Sequence, residues 1–280
     1  MHWMFFAILA VAILSVSALF QRLAMKKEGS DPIASSIIFQ LLLTAGSVFV
    51  VLFTGFSLPD ASKWPYFLAS GALYAFGSYF IFRASKAIEA SELIILGGFG
   101  TIASLTASYI FLGERLTLLQ WTGALCILGA IMLVNYQHKN FRFHLGSLFA
   151  LLGSTLYGFA VVFDGFILRT YDSFSFLPIV SLLPALILIV SFPKSARFVF
   201  SSLRKIDRHL VTYSILYICG AELFYIALTH GALVSQLTTV IRSSIIVTVI
   251  LAMVFLKETS HPVKKFLGAI LTTIGILIIR

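Results

Sequence analysis

The chain is short of charge. Only 11% of its 280 residues are Asp, Glu, Lys or Arg, against about a quarter in a water-soluble domain. With 59% hydrophobic residues and a mean hydropathy of +1.01, it has too little polar surface to cover a globule in water. An ordinary soluble fold is excluded before any motif is read. Cysteine is scarce too. Cys126 and Cys219 both sit inside apolar runs and read as small packing residues, so no disulfide framework is expected. The scattered histidines and cysteines show no metal-ligand spacing. No phosphate-binding glycine loop with its lysine is present, which excludes an ATPase motor in this chain. No G-x-S-x-G elbow is present either. The stretch from Gly98 to Ala103 fits a dinucleotide fingerprint by letters alone; it lacks a preceding strand and lies in an apolar run, so it is dismissed. No cofactor is expected. Alternating strands of about ten residues, the mark of a membrane barrel, are not visible.

Long apolar runs are what the chain has in abundance. A spanning helix needs roughly 20 apolar residues. Ten such runs lie near 3–23, 33–55, 64–85, 91–112, 118–136, 144–168, 175–192, 210–229, 235–256 and 264–280. Backbone polar groups in lipid must be satisfied within the segment, so these runs predict helices and an all-α membrane protein. The first run starts almost at Met1 with no basic region before it, and it exceeds the 7–15 residues of a signal-peptide core. It reads as a retained helix, although Ser15, Ser17 and Ala18 leave room for a cleaved signal. Lys26 to Pro32 is a polar turn, with Asp31 placed to cap the next helix and Pro32 at its first position. Pro59-Asp60 and Gly113-Glu114-Arg115 mark further turns. The longest polar link, 193–209, places Val199, Leu203, Ile206 and Leu210 on one helical face. It reads either as a short helix on the membrane surface or as a basic loop.

Charge of one sign dominates. The net charge is +9, which in a soluble protein would suggest nucleic acid. Here the basic residues flank apolar runs, as loops facing anionic headgroups do, so the expected partner is the lipid bilayer and no nucleic acid. Arg22, Lys26, Lys27, Arg83, Lys86, Lys139, Arg142, the basic residues of 194–208, Lys257, Lys264 and Lys265 follow odd-numbered runs. Only Lys63, Arg115 and Arg169 follow even-numbered ones. The charge bias would put the first group in the cytoplasm and both termini outside.

The chain repeats itself. Phe111-Leu112-Gly113-Glu114-Arg115 recurs as Phe255-Leu256-Lys257-Glu258-Thr259. A glycine-bearing apolar run follows each: Trp121-Thr122-Gly123-Ala124, then Phe266-Leu267-Gly268-Ala269. Ala87 and Ser91 match Gly231 and Ser235 at the same offset of 144. The match is clear over 78–134 and 222–279 and weak before them. It predicts two five-helix units, 1–137 and 138–280. An odd number of helices per unit inverts the second across the membrane, and such repeats place a substrate site near the midplane between them.

These residues resemble the drug/metabolite transporter superfamily in its EamA-type ten-helix form. The resemblance rests on the small-residue stretch Ala84 to Ala90, on Phe111 to Gln120, and on Gly123 to Gly129. It implies an integral plasma (inner) membrane carrier that moves a small organic metabolite or drug-like solute by alternating access. It also implies secondary active export, coupled to a proton or counter-solute, and it implies no enzyme. The chain departs from the family pattern in places. Members often carry proline in the fourth and ninth helices, where this chain has Gly97, Gly98 and Gly100 in the fourth and neither residue type in the ninth. Members are generally drawn with cytoplasmic termini, against the charge bias, so orientation stays open. So do substrate identity and oligomeric state.

Ionisable residues inside a bilayer usually face a cavity or a partner. Asp164, Glu222 and Arg242 are the three at that depth. Glu222 shares its face with Tyr225 and Thr229; Arg242 shares one with Ser235, Thr238 and Thr239. Further polar stripes are Tyr74, Ser78 and Ser85 in the third run and Gly97, Thr101, Ser104 and Ser108 in the fourth. Ser154, Tyr157 and Asp164 form another in the sixth, and Ser17 with Gln21 a weaker one in the first. By the repeat offset Ser78 corresponds to Glu222. In the resembled family, helices one, three, four, six, eight and nine line the central cavity. The stripes therefore nominate Glu222, Arg242, Tyr225, Tyr74, Ser78, Thr101, Tyr157, Thr238 and Asp164 as substrate- or ion-binding residues, with Glu222 also placed to take up a proton. Two structural alternatives stand beside this: an ion pair of Glu222 with Arg242, and an Asp164 that snorkels from a helix end. Gly97, Gly98 and Gly100 serve either as a hinge or as close-packing positions. Glu114 and Glu258 are expected to cap the helix that follows each of them. Arg83, Lys86, Glu89 and Glu92 are expected to form a solvated face with local pairs. An intramembrane enzyme would need paired catalytic groups, which only Glu222 with Arg242 suggests; a channel or scaffold is the other alternative.

Overall fold

Among the described residues, helices form within the predicted apolar runs, and polar residues mark several of their ends. The computed structural model describes residues 3–112, 117–137, 140–141, 144–168, 170–201, 207–230, 240–241, 243–258 and 260–279. In chain order the described helices are α1 (Trp3–Lys26), α2 (Pro32–Thr54), α3 (Trp64–Ala87), α4 (Ala90–Gly97), α5 (Phe99–Leu112) and α6 (Leu118–Asn135). Then come α7 (Leu145–Leu168), α8 (Ser173–Ser191), α9 (Pro193–Ser201), α10 (Arg208–Thr229), α11 (Ser244–Phe255) and α12 (Pro262–Ile279). The strands described are two residues each, Tyr136–Gln137 against Asn140–Phe141. Among the described residues, five segments are long and apolar enough to cross a membrane: Trp3–Lys26, Pro32–Thr54, Ala90–Phe111, Leu145–Leu168 and Phe174–Ser191.

Asp31 caps α2 as predicted: its carboxylate accepts from the Ile33 N–H at 2.9 Å, with Pro32 in the first turn. Asp172 does the same for α8, through Ser175 N at 2.7 Å. The basic link does begin with a helix. Ala196 and Val199 of α9 are buried against Ala34, Ile37, Ala75 and Leu188, while Lys194 and Arg197 are exposed. Leu203 and Ile206 lie outside the described residues. The fourth run is split: Gly98 stands between α4 and α5.

Packing joins the two halves of the chain more than it joins neighbours. The main helix pairs are α1 with α10, α2 with α8, α3 with α7 and α6 with α12; α5 also packs on α7, and α4 on α11. The outward surface is apolar. Leu52 (75% exposed), Phe53 (78%), Leu118 (81%) and Val190 (79%) face away from the protein. That surface would be costly in water and is at home in hydrocarbon.

Candidate functional site

A polar line runs between α3 and α7. Asp164 is 8% exposed, three turns from Ser154 on the same helix. Its carboxylate accepts from Ser70 Oγ and from the Tyr74 hydroxyl, each at 2.5 Å. The snorkelling alternative therefore fails: the side chain is held inward by α3 rather than reaching for the interface. The Tyr74 ring meets Tyr157, with centroids 5.2 Å apart. The Tyr157 hydroxyl comes within hydrogen-bonding reach of Ser78, and Ser78 Oγ shares a 2.6 Å hydrogen bond with Ser36 Oγ of α2.

From α2 and α10 comes an aromatic wall. Phe39 stacks on Tyr213 at 4.8 Å and meets Tyr217 edge-on at 5.3 Å. Tyr213 is buried, whereas Tyr217 is 36% exposed although it lies close to both Tyr157 and Asp164. The structure thus brings Tyr74, Ser78, Tyr157 and Asp164 together, as their stripes suggest. Ser36, Phe39, Ser70, Tyr213 and Tyr217 join them without having been singled out by sequence. A signal was there: Ser70, Tyr74 and Ser78 sit four apart on one face, as do Tyr213 and Tyr217.

Glu222 is half-buried in α10, and its Oε2 has no hydrogen-bond partner among the described residues. Arg242 and Thr238 lie outside the described residues, as does the side chain of Tyr225. Thr101 Oγ1 is likewise buried without a partner among the described residues. At the glycines, a Cβ on Gly98 would run into Thr272, and one on Gly100 would stand 2.8 Å from the Ser154 carbonyl, while Gly97 has open space. Gly98 and Gly100 thus stand at close-packed crossings, and Gly97 does not. Ser104 Oγ donates to the Gly158 carbonyl at 2.9 Å and to Gly100 at 3.0 Å, tying α5 to α7 at this crossing.

The basic end of the bundle holds a second polar group. Glu258 does not cap the helix that follows it. Its Oε1 accepts from Ala90 N at 2.8 Å, and its Oε2 accepts from Ser91 N at 3.0 Å and Ser91 Oγ at 2.6 Å. It therefore caps α4, in the other half of the chain; Glu114 lies outside the described residues. Glu89 and Glu92 also differ from expectation. Glu89 pairs with Lys265 of α12 and accepts from Ser260 at 2.8 Å, and Glu92 accepts from Ser147 of α7 at 2.8 Å. Their partners are distant in sequence because α4 is wedged between helices of the other half. Arg22 donates to the Ser85 carbonyl and borders, with Lys26, Glu89 and Glu258, a cavity of about 140 Å³. Lys27 pairs with Asp207 at 2.8 Å.

Crossed helices with an apolar exterior, enclosing hydroxyls, tyrosines and an acid, define a multi-pass membrane protein of transporter type. The chain belongs to the EamA-like transporter family, whose model matches residues 1–136 and 144–280. Members are transporters of small molecules rather than enzymes. No curated protein matches the chain. A solved structure titled "Crystal structure of protein" shares the fold at 17% identity, with a TM-score of 0.55, covering 98% of this chain and 94% of its own.

Proposed function

We propose that the protein is a secondary carrier that exports a small organic solute across the plasma membrane by alternating access. The observation that carries this reading is the polar cluster of Tyr74, Ser78, Tyr157 and Asp164 where α3 of one half crosses α7 of the other. Polar groups are costly in such a bundle and collect where a passing solute or ion can use them. Ten membrane crossings in two inverted five-helix units, 1–137 and 138–280, fit the packing. Exchanging the halves turns the α1/α10 pair into the α7/α3 pair and the α5/α7 pair into the α11/α1 pair, and returns α2/α8 and α6/α12 to themselves. A carrier of this kind rocks one unit against the other around a fixed site. In that motion Gly97, Gly98 and Gly100 form the hinge of the split fourth helix. Glu222 and Arg242, with Tyr225, Thr101 and Thr238, contact the solute.

The test starts with a thermal-shift screen of purified protein against amino acids, nucleosides, sugars and cationic drugs, since a bound solute raises the melting temperature. Hits then go to reconstituted vesicles. Saturable exchange of labelled solute supports a carrier. Ionic current without saturation, or chemical conversion of the solute, overturns it.

A further inference from the structure

Asp164 is buried in the interior of α7 with both oxygens occupied, and both partners are neutral hydroxyls. Other acids of this protein are compensated differently. Glu258 sits on two backbone N–H groups at a helix start, Glu89 faces Lys265, and Asp207 faces Lys27. Among the described residues no ammonium or guanidinium pairs with Asp164.

Among the described residues, the surroundings are neutral on every side that packs on it. From α3 come Ser70 and Tyr74. At the start of that helix Lys63 is engaged elsewhere, 5.3 Å above the Tyr171 ring and 4.0 Å from Asp60. From α7 itself comes Tyr157, and from α10 Tyr217. α5 meets α7 through Gly100, Ser104 and Phe111, none of them titratable. α4 meets α7 at the Glu92–Ser147 bond, roughly 25 Å along the helix from Asp164 at 1.5 Å per residue. In the turn after α7, Tyr171 is bonded to the Ser57 carbonyl and Asp172 to Ser175 N.

A lone carboxylate removed from water costs several kcal/mol, and two hydroxyl bonds recover only part of that. Each oxygen keeps a further lone pair beside the one that accepts the hydroxyl. A proton needs no room. Beyond Tyr74, whose ring meets that of Tyr157, the hydroxyls of Tyr157, Ser78 and Ser36 continue the polar line from Asp164.

We propose that Asp164, held by Ser70 and Tyr74, is the proton-carrying group of this transporter, in place of Glu222. The carboxylate takes a proton from water as α3 and α7 close on it, and is neutral while buried. It returns that proton to water when the two helices part and the carboxylate is hydrated. The inference rests on the carrier reading, and its test needs no solute.

Infrared spectra of the full chain in lipid vesicles, recorded through a pH titration in H₂O and D₂O, should contain a protonated-carboxyl C=O band. The band should shift in D₂O, disappear in Asp164→Asn and persist in Glu222→Gln. Tyr74→Phe removes one bond to the carboxyl and should move the band's frequency. If Asp164→Asn does not fold, Tyr74→Phe decides alone, and an unmoved band overturns the proposal. A spectrum indifferent to Asp164→Asn overturns it, as does a band lost only in Glu222→Gln. A band abolished by sodium at fixed pH overturns it in favour of a metal-cation site. Failure of the wild-type protein to exchange any solute would sink the carrier reading and leave the band assignment standing.

Discussion

Glu222 and Asp164 look alike in sequence, each an acid in an apolar run, yet their surroundings differ. Asp164 is locked by two donors. Glu222 has an oxygen with no donor among the described residues, so an amide in its place forfeits no bond seen there. Glu222→Gln should therefore alter solute exchange while shifting the melting temperature by no more than about 2 °C. Unaltered exchange in vesicles would remove Glu222 from the mechanism. The sequence could nominate both acids because an ionisable residue is conspicuous among leucines. It could not say which one was partnered, because Ser70 and Tyr74 lie 94 and 90 residues away from Asp164.

At the scale of elements, two contacts between halves make firm predictions. Gly158 sits under α5, and a methyl group there would collide with the Gly100 carbonyl and the Ala103 side chain. Gly158→Ala should cost about 1–3 kcal/mol through overpacking, read as a lowered unfolding midpoint in detergent. Glu258 satisfies two N–H groups and a hydroxyl at the start of α4. Glu258→Ala should cost about 2–4 kcal/mol, since each buried donor left unmet carries its own penalty. Glu258→Gln retains one acceptor oxygen and should cost less than half as much; equal losses in the two variants would contradict the capping role. Helix positions were legible because run length and polar punctuation are local. Asp31 as a cap, and the extent of α7, follow from neighbouring residues alone. The partner of Glu258 was not legible, since helical periodicity identifies a face but not the helix that covers it. The same ignorance misassigned Glu89 and Glu92 to local pairs.

For the whole molecule, the polar contacts at the basic end tie the two halves together. Lys27–Asp207 links the end of α1 to the start of α10. Partial burial pushes the Asp207 carboxyl upward, but the bond and charge of Lys27 and the His209 N–H outweigh it and hold it below the ordinary carboxylate range. A carboxyl depressed in the folded state stabilises above its unfolded value of about 4. That contribution is lost as pH falls through the depressed value. Acidification should therefore loosen this end, seen as a growing distance between spin labels on the ends of α1 and α10. Asp207→Asn should show the loosened distance at every pH. An acid response that survives in Asp207→Asn would assign it to another group.

The interlacing of helices has a consequence for how such a chain can be assembled. Each half presents to the other the surfaces on which its own stability depends: α3 lies on α7, α1 on α10, α6 on α12. A ribosome that stopped after the first half would release a product with bare flanks, fit only to recruit a second copy of itself or to be destroyed. A lesion in α10 or α12 should therefore be felt in α1 or α6, on which they pack.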